Sequence, residues 1–289
     1  MRHLNHQLKQ LCRRNQDGSR STQATRERIL TLIANELHDN GYRGLQARSL
    51  KPKHVESLTT AWLEAEVSTG TIKNRMSAIR WWAEKVDKRN VVARDNSYYG
   101  IADRELVSRI SKAKSLDERL LAKITDPNVR MSLRLQQAFG LRREEAIKFM
   151  PTLADRGTDV YLKPSWTKGG KERLIPIRTT QQKELLVEAK RLVGRGSLIP
   201  SHRKYIHQLR IYERQTANDG LSKMHGPRHA YAQRRYFELT GWVCPTNGGR
   251  GKSIMTKTER RIDALARQEV SQELGHERIS ITNVYLGSK

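Results

Sequence analysis

Cysteine, acidic residues and long apolar runs are all scarce in this chain of 289 residues, and each scarcity removes a class of protein. The two cysteines, Cys12 and Cys244, stand far apart, which leaves no disulfide framework and no paired metal-ligand spacing. That usage suits a reducing compartment. No apolar run approaches the roughly 20 residues of a transmembrane helix, and the opening MRHLNHQLKQ lacks the apolar core of a secretory signal. A cytoplasmic protein with no membrane association is expected. Asp and Glu number 30 against 55 Lys and Arg, for a formal charge of +25. Such an excess repels itself unless a partner neutralises it. Polyphosphate is the natural partner. A membrane surface is disfavoured because the basic residues are spread along the chain instead of flanking one apolar helix.

The first hundred residues read as helices and connectors. Apolar residues recur at helical spacing over Arg26 to Leu37, in the segment opened by Pro52, and over Thr71 to Val86. The start of the last helix presents Thr71, Lys73, Asn74 and Arg75 on its wet side, where they could meet DNA phosphates or a groove. Taken alone, a solvated basic face explains them as well. The pattern weakens between Asn90 and Ser115, the expected interdomain linker. Asp126 and Pro127 then read as the cap and first position of a new helix. Val160 to Leu162 and Leu174 to Ile177 read as strands around Lys168-Gly169-Gly170. Helices resume at Gln181 to Val193, Tyr205 to Thr216, Pro227 to about Leu239, and Thr258 to Leu274, the last stopping against Gly275. The expected fold is mainly α with a small antiparallel β-sheet. NGGRGKS, Asn247 to Ser253, imitates a nucleotide-binding loop, but Thr246 occupies the position of its first glycine and the flanking strand and helix are wanting. A flexible surface insertion is expected there, and ATP binding is set aside.

Four motifs in the second half follow one another in order: GLRREE (Gly140 to Glu145), TKGGKERLIPI (Thr167 to Ile177), HGPRH (His225 to His229) and LGHERISITNVY (Leu274 to Tyr285). They collect arginines, a lysine, histidines and a tyrosine, the groups needed to cut and rejoin a phosphodiester through a covalent protein link. Phosphodiester transfer builds negative charge on two non-bridging oxygens, and fixed cations aimed there lower the barrier. Arginine suits this because its fork binds in pairs and keeps its proton. Charge alone does not choose between Arg142 and Arg143. Glu145, three residues on from Arg142, shares its helical face and could orient the guanidinium. A phenol has a pKa of about 10, so it needs nearby positive charge or a base to become a nucleophile.

The ordered motifs resemble those of the tyrosine recombinases, the phage-integrase family of site-specific DNA recombinases. The resemblance covers the catalytic half closely. It is looser in the first half, where TIKNRMSAIRWWAEK is similar to the last helix of the family's core-binding domain. It implies a helical core-type DNA-binding domain over residues 1–105 and an α/β catalytic domain over 106–289. Arg142 matches the family's first arginine, Arg228 the arginine of HxxR, and Tyr285 the nucleophile nine positions after His276. His225 is the candidate base, and His276 would bind a phosphate oxygen or hold Tyr285. Lys168, the lysine followed directly by Gly169, matches the one that protonates the departing 5′ oxygen; Lys171 lies close by. No metal is implied, because His225, His229 and His276 have no carboxylates at ligand spacing and two arginines would repel a cation. No cofactor is implied either, since the phosphotyrosyl bond stores the energy of the cleaved link.

The long span after HGPRH and the ending LGHERxxIxxVYLG look like integrases of mobile elements. Implied partners are double-stranded DNA carrying core recombination sites, three further copies in a homotetramer, and accessory DNA-bending or directionality factors. The implied location is cytoplasmic and nucleoid-associated. Many relatives continue past the tyrosine with a helix that docks on a neighbour, and this sequence ends at Lys289. Two rival readings are a type IB topoisomerase-like enzyme, which shares the chemistry without site choice, and a DNA-binding protein that keeps the fold without cutting.

Overall fold

In a computed structural model of the chain, residues 3–104, 107, 110–218, 224–276 and 278–288 are described. The chain divides into two compact units, residues 1–105 and 106–289.

The first unit is built from α1 (His3–Arg14), α2 (Arg20–Asp39), α3 (Pro52–Glu64) and α4 (Thr69–Lys85). Helix α2 begins at Arg20, six residues ahead of the expected start at Arg26, because Ser19 caps it, accepting from the Thr22 N–H. Pro52 starts α3, where a missing N–H costs nothing. Helix α1 was not anticipated from the sequence. Leu4, Leu8 and Cys12 form its buried apolar stripe, Leu11 packs partly buried beside it, and the rest of the helix is polar. Leu30, Ile33, Leu37, Val55, Leu58, Met76, Ile79 and Trp82 close the core, each almost fully removed from solvent. Burying each large apolar side chain contributes about 1.5–3 kcal/mol.

The second unit opens with α5 (Glu118–Lys123), α6 (Pro127–Phe139), α7 (Arg143–Ile147) and α8 (Pro151–Ala154). Asp126 caps α6 as expected, its carboxylate accepting from the Asn128 and Val129 N–H groups at 3.0 Å. The sheet is one antiparallel pair, β1 (Asp159–Leu162) and β2 (Arg173–Pro176), with Val160 opposite Ile175 and Leu162 opposite Arg173. Then come α9 (Thr180–Val193), α10 (Tyr205–Asn218), α11 (Gly226–Thr240), α12 (Lys257–Glu273) and the single turn α13 (Asn283–Leu286). Phe139, Leu141, Phe149, Ile175, Leu186, Tyr236, Val270 and Leu286 belong to its main core, which joins α6, the sheet, α9, α11, α12 and α13. The architecture is thus mainly helical with one small antiparallel sheet.

The connection between α11 and α12 carries NGGRGKS, of which Asn247, Gly248, Arg250, Lys252 and Ser253 are exposed. Its first part is a tight turn folded against the core: Cys244 is buried, and a Cβ on Gly249 would lie 1.7 Å from the Val243 carbonyl oxygen. Only glycine lets the backbone close there. Among the described residues, no helix is long and apolar enough to cross a membrane.

Candidate functional site

The site is assembled where helices end. Helix α12 stops at Leu274 and Gly275, the latter in the left-handed conformation with φ of +62°. Helix α6 stops at Gly140, φ +61°. The last carbonyls of a helix have no intrahelical donor and carry its negative end. Guanidiniums fill that need. Arg228, in the first turn of α11 and 1% exposed, donates to the carbonyls of Gly140 and Leu274. Arg173, the first residue of β2, donates to Leu274 at 3.0 Å. Arg142, immediately before α7, reaches Gly275 at 3.4 Å. Both glycines are also sterically required: a Cβ on Gly140 would meet the Tyr231 ring at 2.5 Å, and one on Gly275 would meet Arg173 Nη1 at 2.5 Å.

Among the described residues, Glu145 is the single carboxylate within this cluster of cations. It is completely buried and accepts from the Arg142 backbone N–H at 2.7 Å, Arg142 Nη1 at 2.8 Å and Arg173 Nη2 at 2.8 Å. Burial pushes its carboxyl upward, but Arg173, Arg228 and Arg142 outweigh that and hold it at about 2. Burial, reinforced by the Arg142 charge, pulls Arg228 down to about 10, so it remains a cation at neutral pH. Among the described residues, three guanidiniums against one carboxylate leave two positive charges uncompensated, which matches the charge of about −2 on a pentacoordinate phosphodiester transition state.

Tyr285 lies on α13 beside this cluster. Its hydroxyl accepts from Arg228 Nε at 3.3 Å. Its ring lies 4.4 Å from that of His229 and is stacked on that of His276 at 5.2 Å, centroid to centroid. His276 Nε2 is 3.3 Å from Arg228 Nη2, which can only donate. The proton of the neutral ring therefore sits on Nδ1, which is buried without a partner among the described residues. Burial, then the Arg228 and Arg142 charges, lower His276 to about 3. Burial and the neighbouring His225 lower His229 to about 4. Both rings are neutral at physiological pH.

His225 caps the N-terminal end of α11 at the solvent edge. Burial of its ring, followed by the charges of Arg228, Arg143, Arg142 and Lys168, hold it below the ordinary imidazole value. Lys168 is exposed between the strands, next to Gly169 and Gly170, both at positive φ. Its influence on His225 brings it into the same field.

Arg142, Arg228, His276 and Tyr285 are thus in one cluster with Glu145, and His225 and Lys168 stand at its edge. The neighbours Arg142 and Arg143 separate cleanly, because Arg143 turns to α10 and pairs with Glu213 at 2.9 Å. Two members went unrecognised in the sequence. Arg173 shares the face of Ile175 by strand alternation, which was the available signal. His229 adjoins Arg228 within HGPRH, and nothing in the sequence pointed its ring at Tyr285.

The four residues on α4 are differently disposed. Thr71 and Asn74 are exposed, but Asn74 accepts from Arg104 at 2.8 Å. Lys73 pairs with Asp103 at 2.7 Å. Arg75 is half-buried, pairing with Glu36 at 3.1 Å and lying over the Trp62 ring at 5.0 Å.

A phenol held against uncompensated guanidiniums, in a strongly basic chain, defines a protein equipped to act on a nucleic-acid phosphodiester. Residues 1–92 match the family described as phage integrase, N-terminal, and residues 102–234 the family described as integrase. The chain belongs to the tyrosine recombinase, or phage integrase, family, whose members cleave and rejoin DNA at specific sites. Among solved structures, a lambda integrase tetramer bound to a Holliday junction is similar at 15% identity, with 98% of this chain and 76% of that one covered and a TM-score of 0.62. The Tn1549 transposon integrase in complex with circular intermediate DNA is 12% identical over 100% and 96% of the chains, TM-score 0.58. The XerH site-specific recombinase bound to a palindromic difH substrate is 16% identical over 97% and 80%, TM-score 0.59. At such identity the likeness is one of fold. By sequence, no curated protein matches the chain.

Proposed function

We propose that this recombinase is the integrase of a mobile element, with Tyr285 as its nucleophile. The Tyr285 oxygen attacks the scissile phosphorus, and the bond from phosphorus to the 5′ oxygen breaks. A 3′-phosphotyrosine and a free 5′ hydroxyl result. His225, kept neutral by its surroundings, accepts the phenolic proton. Lys168 delivers a proton to the departing 5′ oxygen, sparing a costly alkoxide. Arg142 and Arg228 bind the two non-bridging oxygens, and Glu145 with Arg173 hold Arg142 in place. His276 orients Arg228 and Tyr285 and turns its ring to phosphate when DNA is bound. Reversal with a new 5′ hydroxyl rejoins the strands, so no cofactor enters.

The observation that carries this reading is the contact of Arg228 Nε with the Tyr285 hydroxyl beside Arg142. Four copies on two roughly palindromic core sites, a helical DNA-binding role for residues 1–105, nucleoid association in the cytoplasm and accessory bending or directionality factors complete the proposal. The test is a nicked suicide duplex carrying the ends of the element. Wild type should form a detergent-resistant protein–DNA adduct and Tyr285→Phe none. Absence of adduct with both, on a duplex shown to be bound, would leave only the reading of a DNA-binding protein that does not cut. Equal relaxation of supercoiled plasmids with and without the site would favour the topoisomerase-like alternative.

A further inference from the structure

The main chain of the nucleophile poses its own problem. Tyr285 belongs to a one-turn helix, and the carbonyls of a last turn find no partner within it. A turn of four residues has little stability of its own, yet the phenol must be held to a fraction of an ångström for in-line attack. The turn's flanks are secured from α12. Arg267, 1% exposed and paired with Asp263, donates to the Asn283 side-chain oxygen at 2.9 Å and the Gly287 carbonyl at 2.8 Å. The Tyr285 carbonyl itself is taken by Gln233.

Gln233 is 7% exposed, on α11 four residues beyond His229. Its Nε2 donates to the Tyr285 carbonyl at 3.0 Å and to Ser111 Oγ at 3.0 Å. Its Oε1 accepts from Asn247 Nδ2 at 2.8 Å and from the Ser111 hydroxyl at 3.2 Å. Both ends of the amide are therefore committed, and swapping them would oppose Oε1 to a carbonyl. Asn247 belongs to the turn after α11, and that turn also backs the nucleophile: a Cβ on Gly287 would meet the Thr246 nitrogen at 2.8 Å.

We propose that Gln233 is the positioning residue of Tyr285, and that the turn around Asn247 exists to orient Gln233. The proposal rests on Tyr285 being the nucleophile and adds the device that aims it. Gln233 touches no reacting atom. It acts by satisfying the carbonyl of the residue that does, and Asn247 and Ser111 pin its amide in the only orientation that permits this.

The discriminating variant is Gln233→Glu in the full chain. A carboxylate keeps the acceptor for Asn247 and Ser111 but cannot donate to the Tyr285 carbonyl. On the nicked suicide duplex, at a temperature where the variant is fully folded, first-order adduct formation should fall by about 10- to 100-fold, with duplex Kd close to wild type. The thermal midpoint falls as well, because a buried carboxylate then faces a carbonyl. A protonated carboxyl can donate again, so the ratio of wild-type to variant rate should narrow between pH 8 and pH 6. A loss of packing alone would not follow pH in that way. Asn247→Ala should give a smaller loss, and adding it to Gln233→Glu should have little further effect. Unchanged rates in both single variants, with Tyr285→Phe inactive, would overturn the positioning role and leave the nucleophile standing. If wild type forms no adduct, or if Gln233→Glu unfolds, hydrogen exchange reads the same device. Gln233→Met should exchange the 283–288 amides at least tenfold faster than wild type, and equal exchange would overturn the proposal.

Discussion

A guanidinium and an ammonium differ most where several acceptors must be met at once. Arg142 meets Glu145 and Gly275 together and keeps about a fifth of its side chain open to solvent. Arg142→Lys retains the charge and loses the fork. Adduct formation on the suicide duplex should fall by about 10²–10³-fold with duplex binding nearly intact. Protonation has a definite sign as well. Glu145 at about 2, His276 at about 3 and His229 at about 4 all lie below their ordinary values, so the unfolded chain binds these protons first. Their contribution is complete above about pH 6.5. It declines from there through the two imidazoles, and below about 4.5 through Glu145 as well. The thermal midpoint should therefore be flat from pH 8 to 7 and fall steadily below 6.5. His229→Phe should flatten the upper part of that fall; a midpoint that rises on acidification would contradict the assignment.

At the scale of elements, the site depends on chain reversals that only glycine permits, and not all glycines matter equally. Gly140→Ala forces a Cβ into the Tyr231 ring and strains a positive φ, so the loss should be about 2–4 kcal/mol by denaturant unfolding. Gly169→Ala carries the φ strain alone, with open space around it, and should cost about 1 kcal/mol. Comparable losses would mean that the close approach at Gly140 is relieved elsewhere. Most elements were legible. Helices α2, α3, α4, α6 and α9 to α12, and both strands, follow from periodicity, caps and glycine stops. Helix α1 was not, because Leu4, Leu8, Leu11 and Cys12 make too short a stripe in a segment that is otherwise polar. The composition of 247–253 is that of a flexible surface loop, and it carries no sign of Gly249 closing on Val243 or of Asn247 bonding Gln233.

For the whole molecule, the net charge of +25 sets the terms of association. Log affinity for duplex DNA should fall linearly with log salt, with a slope of about −0.9 per phosphate neutralised. Lys73 and Arg75 are already paired with Asp103 and Glu36, so replacing either should change that slope by less than one such increment. A full increment lost on Arg75→Ala, measured by fluorescence anisotropy across a salt series, would mean that its pair with Glu36 opens on DNA.

By itself the sequence determined the family, the basic partner-seeking charge, the order of the helices and the chemical inventory of the site, since these depend on residue type and near-neighbour spacing. Only the tertiary structure decided which of two adjacent arginines turns inward, that Arg173 joins Glu145, that His229 faces Tyr285, and that Gln233 donates to the Tyr285 carbonyl. Those outcomes depend on where α6 and α12 end in space and on which buried carbonyls remain without donors there. Chain folding creates that need, and no stretch of sequence records it locally.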